Sequence, residues 1–167
     1  NCTLSGNQAF GGRGGSGQRG GDGGAGVGGA LFNNEGTVTL THVTLHDNQV
    51  TAGTGGTSQS GSSSAGDALG AAIYNYRDTT GGTMTVNNTL FTGNSGASGE
   101  VFYSSAGATI SGDGNALVGT NTNVPSSIVT LSVAPTDLGS LSGTAPRTFS
   151  ILATSNLADA GATLTAG

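Results

Sequence analysis

The chain has 167 residues, the length of one domain, with 33 Gly, no Lys, four Arg and a net charge of −5. An acidic chain with no cluster of basic residues is not expected to hold nucleic acid. No apolar run of roughly 18 residues is present to insert into a membrane, and Cys2 is the single cysteine, which excludes an intrachain disulfide. Only 8% of residues are charged, unlike ordinary disordered segments. Gly has no three-residue period shared with Pro, which sets collagen aside. The remaining mixture of Thr, Val, Ile, Leu, Asn, Ser and Gly favours short strands joined by turns.

In chain order, Asn1-Cys2-Thr3-Leu4-Ser5-Gly6-Asn7 opens the sequence as the end of a repeat whose upstream part is missing. The chain is therefore expected to be a processed piece of a longer precursor. A Gly-rich stretch, 8–27, follows. Then come "GGALFN" (28–33), "GTVTL" (36–40) and His42-Val43-Thr44-Leu45-His46-Asp47-Asn48. A second Gly/Ser-rich stretch, 49–69, separates these from "GAAIYN" (70–75), "GTMTV" (82–86) and Asn88-Thr89-Leu90-Phe91-Thr92-Gly93-Asn94. "GEVFY" (99–103) and "GATI" (107–110) follow the same shape. Within each unit apolar residues alternate with Thr, as in Val38/Leu40 and Met84/Val86, and this period of two predicts strands.

Strands this short cannot bury their apolar faces alone, but repeats stacked in register can. The expected fold is all-β, a right-handed parallel β-helix, or solenoid, of about four to five coils. It forms one domain over 1–167: coils over 1–125, and a last coil with a closing segment over 126–167. The stretches 8–27 and 49–69 are read as long Gly/Ser-rich loops leaving one edge at equivalent positions, one above the other. If ordered, they pack on each other, on the wall or on another molecule.

"GGAL" and "GAAI" followed by "LHDN" and "FTGN" resemble the GGAI and FxxN repeats of bacterial polymorphic outer-membrane proteins and the Gly-rich parallel β-helices of bacterial secreted surface proteins. "GDGNALVG" (112–119) and "APRTFSILATSNLADAG" (145–161) are similar to the closing segment of choice-of-anchor surface proteins. The resemblance implies a right-handed parallel β-helix, secreted or attached to a cell surface, with no catalytic residue.

Alignment of the repeats places Leu4, Leu45 and Phe91 in one inward file, Leu31, Ile73 and Val101 in another, and Cys2, Val43 and Thr89 in a third. Cys2 is thus expected to be buried. Asn7, Asn48 and Asn94 recur in register and are expected to hydrogen-bond as a ladder. The acidic residues are scattered, without the paired carboxylates of a glycoside hydrolase. His42 and His46 stand at polar surface positions rather than in a metal site. No catalytic residue, metal or cofactor is expected, and the chain is not read as an enzyme. Thr37, Thr39, Thr41, Thr83 and Thr85 form a hydroxyl array that suits strand propensity or an ice-binding face.

The expected function is structural. Subunits stack end to end, head to tail, into an extracellular filament or surface fibre, because solenoid ends expose strands that template further pairing. The partner is the chain itself, with glycans or a neighbouring cell surface as further contacts. The alternative is a monomeric adhesin or display fragment in which "SSIVTLSVAPTDLGSL" (126–141) folds across the last coil.

Overall fold

The computed structural model describes residues 1–96, 101–118, 125, 128–133, 138–142 and 148–151. Among them there is no helix. The first repeat supplies β1 (Cys2–Ser5), β2 (Gln8–Phe10), β3 (Gly26–Val27) and β4 (Leu31–Asn34). The second supplies β5 (Thr37–Thr41), β6 (Val43–His46), β7 (Gln49–Thr51), β8 (Ala68–Leu69) and β9 (Ile73–Tyr76). The third supplies β10 (Thr83–Asn87), β11 (Leu90–Thr92), β12 (Ser95–Gly96) and β13 (Phe102–Ser104). Beyond these lie β14 (Thr109–Val118), β15 (Ile128–Val133), β16 (Leu138–Ser142) and β17 (Thr148–Ile151).

Each strand of the repeats pairs, in parallel, with its counterpart in the next repeat. The orders are β1-β6-β11-β14, β5-β10-β14, β4-β9-β13, β2-β7-β12 and β3-β8. Left-handed backbone turns the chain at the corners. Gly6, Asp47 and Gly93 precede the three register-matched Asn residues, and all three adopt φ between 53° and 67°. Gly takes this left-handed backbone freely and Asp tolerates it. The same left-handed turn occurs at His42 and Asn88, with φ of 56° and 50°.

Alternation then directs Val43, Leu45, Met84, Val86, Phe91, Ile73 and Ile110 into one buried cluster. Phe91 and Phe102 meet there with ring centroids 4.4 Å apart. Leu4 pairs with Leu45 and Leu45 with Phe91, so that file is continuous. Cys2 pairs with Val43 in register, and Thr89 is buried.

Two expectations are corrected. Phe102, not Val101, pairs with Ile73 in the file that starts at Leu31. Val101 is buried one residue earlier, where its carbonyl accepts from the Ala72 and Ile73 amides at 3.0 and 3.1 Å. Aligning the units on their leading glycines, Gly28, Gly70 and Gly99, would have matched Val101 to Ala30 and Ala72 instead. Cys2 is exposed rather than buried, because β1 ends its sheet and no described strand pairs along its outer side.

The Gly-rich stretches lie one above the other, as their equivalent positions in the repeats predict, and pack on each other. The first runs out as segment 11–18 and back as 20–26; the second runs out as 52–59 and back as 62–67. The Gly11, Gly14 and Gly17 amides donate to the Thr51, Thr54 and Thr57 carbonyls at 2.8, 2.9 and 3.1 Å. Gly21 and Gly24 donate back to Gly15 and Gly12 at 2.8 and 2.7 Å, and Gly53 and Gly56 donate to Gly24 and Gly21 at 2.9 Å each. Gly23 and Gly26 donate to Ser64 and Asp67 at 2.9 and 2.8 Å.

Every series advances by three residues, and of the glycines between 11 and 66 outside the β3–β4 connection only Gly61 has positive φ. This is polyproline-II-type backbone, which has three residues per turn and no internal hydrogen bonds. Each segment must therefore bond its neighbours, and here four segments form a bundle. The spacing requires glycine. A Cβ on Gly11 would collide with the Gly24 carbonyl, on Gly14 with Gly21, on Gly53 with Gly12, on Gly56 with Gly15 and on Gly66 with Gly24.

The expected last coil and closing segment, 126–167, lie largely outside the described residues. Within them, β15 joins β14 as a further parallel strand, and β16 and β17 pair antiparallel. β15 thus lies beside β14 in the same sheet.

Candidate functional site

The Asn file begins with Asn7, whose amide and Nδ2 donate to Asn48 Oδ1 at 3.1 and 2.9 Å. Asn48 repeats the arrangement, donating from its amide and Nδ2 to Asn94 Oδ1 at 3.1 and 2.8 Å. Asn48 Nδ2 and Asn94 Nδ2 also reach back to the Leu4 and Leu45 carbonyls at 3.0 and 2.8 Å. Asn48 is fully buried, so its satisfaction matters energetically.

A second file was not singled out from the sequence. Buried Asn33 donates to Asn75 Oδ1 at 2.8 Å, and Asn75 Nδ2 donates to the Gly82 and Thr109 carbonyls at 2.7 and 3.0 Å. Its signal was the shared final Asn of "GGALFN" and "GAAIYN". Asn115 acts alike, accepting from the Thr89 amide at 3.1 Å and donating to the Val86 carbonyl at 2.7 Å.

Two outward faces carry ordered side chains. On β4, β9 and β13, Phe32, Tyr74 and Tyr103 stand in register. Tyr74 stacks on Tyr103 at 5.0 Å and 6°, and on Tyr76 at 6.2 Å and 16°. Phe32 meets Tyr74 edge-on at 5.3 Å. The stacked tyrosines brace adjacent repeats, while Phe32 stays half exposed. Partial burial, then the neighbouring Tyr103, Tyr76 and Asp67, raise the Tyr74 pKa above its usual value.

The second face lies on β5, β10 and β14. Thr37, Thr83 and Thr109 form one row and Thr39, Thr85 and Ser111 another, with Thr109 Oγ1 3.5 Å from Thr83 Oγ1.

Ionisable groups are dispersed. Among the described residues no three of His, Cys, Asp and Glu come together as a metal site, and His42 and His46 are not joined into one. Asp22 accepts from the Ser64 amide at 2.7 Å within the bundle. Glu35 accepts from the Asp78 and Thr79 amides at 3.0 and 2.6 Å, so one repeat holds the turn of the next. The Thr79 and Asp78 amides hold its carboxyl below the usual range. Glu100, Asp137 and Asp159 lie outside the described residues.

The remaining candidate is the open edge. β1, β2, β3, β4 and β5 each end a sheet, and Leu4, Leu31, Val38 and Leu40 are only partly buried there, against full burial of Leu45, Ile73, Met84 and Val86 behind them. No family model, curated protein or solved structure matches this chain.

Proposed function

We propose that this protein is a structural extracellular or cell-surface module: a right-handed parallel β-helix of about four to five coils that works by stacking end to end with further copies into a filament. The pairing of each strand with its counterpart one repeat on is what a solenoid requires, and right-handed crossovers dominate parallel connections. The resemblance of the GGAL/GAAI repeats to bacterial surface proteins supports the location.

The observation that carries the reading is the edge formed by β1, β2, β3, β4 and β5. Among the described residues no further strand pairs along it, and it carries the half-buried Leu4, Leu31, Val38 and Leu40. Such an edge templates further strands, and with few charges in the chain nothing strongly opposes their approach. Electron microscopy and light scattering of the purified chain test this. Elongated particles whose length grows with concentration are expected. Particles that stay monomeric at high concentration favour instead the display fragment, with glycans or a neighbouring surface as its contacts.

A second reading is favoured by the two register-matched hydroxyl rows on β5, β10 and β14, an uncharged grid about 4.8 Å by 6.7 Å that suits ordered water. Thermal hysteresis and ice-crystal shape test ice binding; freezing identical to that of a control protein eliminates it.

A further inference from the structure

The chain's three tyrosines, Tyr74, Tyr76 and Tyr103, all stand on the outward face of β9 and β13, each only partly buried. Tyr74 and Tyr103 pair in parallel register, with ring planes within 6° and centroids 5.0 Å apart. Stacked carbon rings approach to about 3.5–4 Å. A centroid separation of 5.0 Å therefore leaves the two rings displaced sideways by about 3 Å or more, with the rim carbons of one lying over the other. Tyr76 is more distant from Tyr74, at 6.2 Å and 16°. Packing at this place does not require a hydroxyl, because Phe32 fills the register-matched position on β4 and meets Tyr74 edge-on. Side chains that compete with a phenol for an oxidant are few: the chain has no Trp, Met84 is fully buried, and Cys2 is the single thiol.

Independently of the stacking reading above, we propose that Tyr74 and Tyr103 form an oxidative cross-linking site, at which peroxide acting through a haem peroxidase joins them as a dityrosine that bolts the second repeat to the third. Each phenol gives up one electron and its hydroxyl proton. The two phenoxyl radicals form one carbon–carbon bond between positions ortho to their oxygens. Each of those carbons then loses its hydrogen as a proton, and each oxygen regains one. The peroxide O–O bond breaks and takes up the two electrons and two protons as two waters. Coupling within one chain is favoured because the stacked partner is already in place, which turns an encounter between molecules into a step within one. The new bond joins residues about 30 apart in sequence, and like a disulfide it restricts the unfolded chain. Both tyrosines lie in the second and third repeats, so the site does not depend on what lies beyond β1.

The test is treatment of the full chain with a haem peroxidase and hydrogen peroxide, and in parallel with photolysed ruthenium tris-bipyridine and persulfate, a small oxidant that reaches recessed phenols. The expected product is a single chain lighter by two hydrogens, with dityrosine fluorescence and a melting temperature raised by several degrees. Trypsin, cutting after arginine, leaves Tyr74 and Tyr76 in fragment 20–77 and Tyr103 in fragment 78–147, so the cross-link must join these two fragments. Tyr76→Phe should keep the joined product, and Tyr103→Phe should reduce it by about tenfold or more. Both variants should fold, since Phe32 already fills the matching place on β4. A cross-link confined to fragment 20–77, a joined product lost in Tyr76→Phe, dityrosine found only in dimers that survive reductant, or no dityrosine with either oxidant would each overturn the proposal.

Discussion

Gly56→Ala and Gly12→Ala exchange the same residue on the same kind of backbone, and the structure predicts opposite outcomes. At Gly56 the new methyl collides with the Gly15 carbonyl, which is fixed backbone. Segments 11–18 and 52–59 must separate, endangering the bonds from Gly56 to Gly21, Gly14 to Thr54 and Gly17 to Thr57, at 2.9, 2.9 and 3.1 Å. At about 0.5–1.5 kcal/mol net for each bond, losing two or three destabilises by about 1–4 kcal/mol. That exceeds the gain of about 0.4–1 kcal/mol expected when alanine restricts the unfolded chain. At Gly12 there is no collision, so only the gain remains and the isolated chain should become slightly more stable. Urea unfolding at low protein concentration gives the two signs. Native-state hydrogen exchange locates them, because the bundle can open separately from the core. Equal stability of the two variants, or undiminished protection of the Gly14 and Gly17 amides in Gly56→Ala, would refute the reasoning.

Phe102→Ala should destabilise by about 3–5 kcal/mol and Leu45→Ala by about 2–5 kcal/mol, measured by denaturant unfolding; a negligible cost at Phe102 would reject its place in the Leu31–Ile73 file. Asn48→Ala leaves the Asn7 amide and the Leu4 carbonyl without their partner and takes one of its two donors from Asn94 Oδ1, a loss of about 1–3 kcal/mol that unfolding should register, whereas exposed Gln8→Ala should be near neutral. Glu35 has a lowered folded pKa, so its stabilisation is present above the unfolded value near 4.5 and is lost as pH falls through the lower folded value. Melting temperatures followed from neutral into acid should show this decline in wild type, and Glu35→Gln should flatten it.

Much of the molecule was legible in its sequence because stacking converts sequence similarity directly into contact. Once Leu45 and Phe91 occupy matching places in two repeats, register makes them neighbours, and the same holds for Asn48 and Asn94. Period-two alternation gave the strands, whereas the left-handed corners at Gly6, Asp47 and Gly93 emerged only in the structure. Alignment failed where a one-residue shift left the pattern equally apolar, as with Val101 and Phe102: the hydrophobic residue was visible, but the backbone register that selects it was not. Exposure of Cys2 depends on which neighbours surround its strand, which no residue type encodes. The Gly tracts show the same division. Glycine at 11, 14, 17, 20, 23 and 26 was present in the sequence, but without Pro the tract read only as a loop of unspecified backbone. Polyproline-II backbone has no hydrogen bonds of its own, so a single tract carries no sign of order. Only bringing the second tract alongside supplies the partners, and only then does every third glycine become a steric necessity.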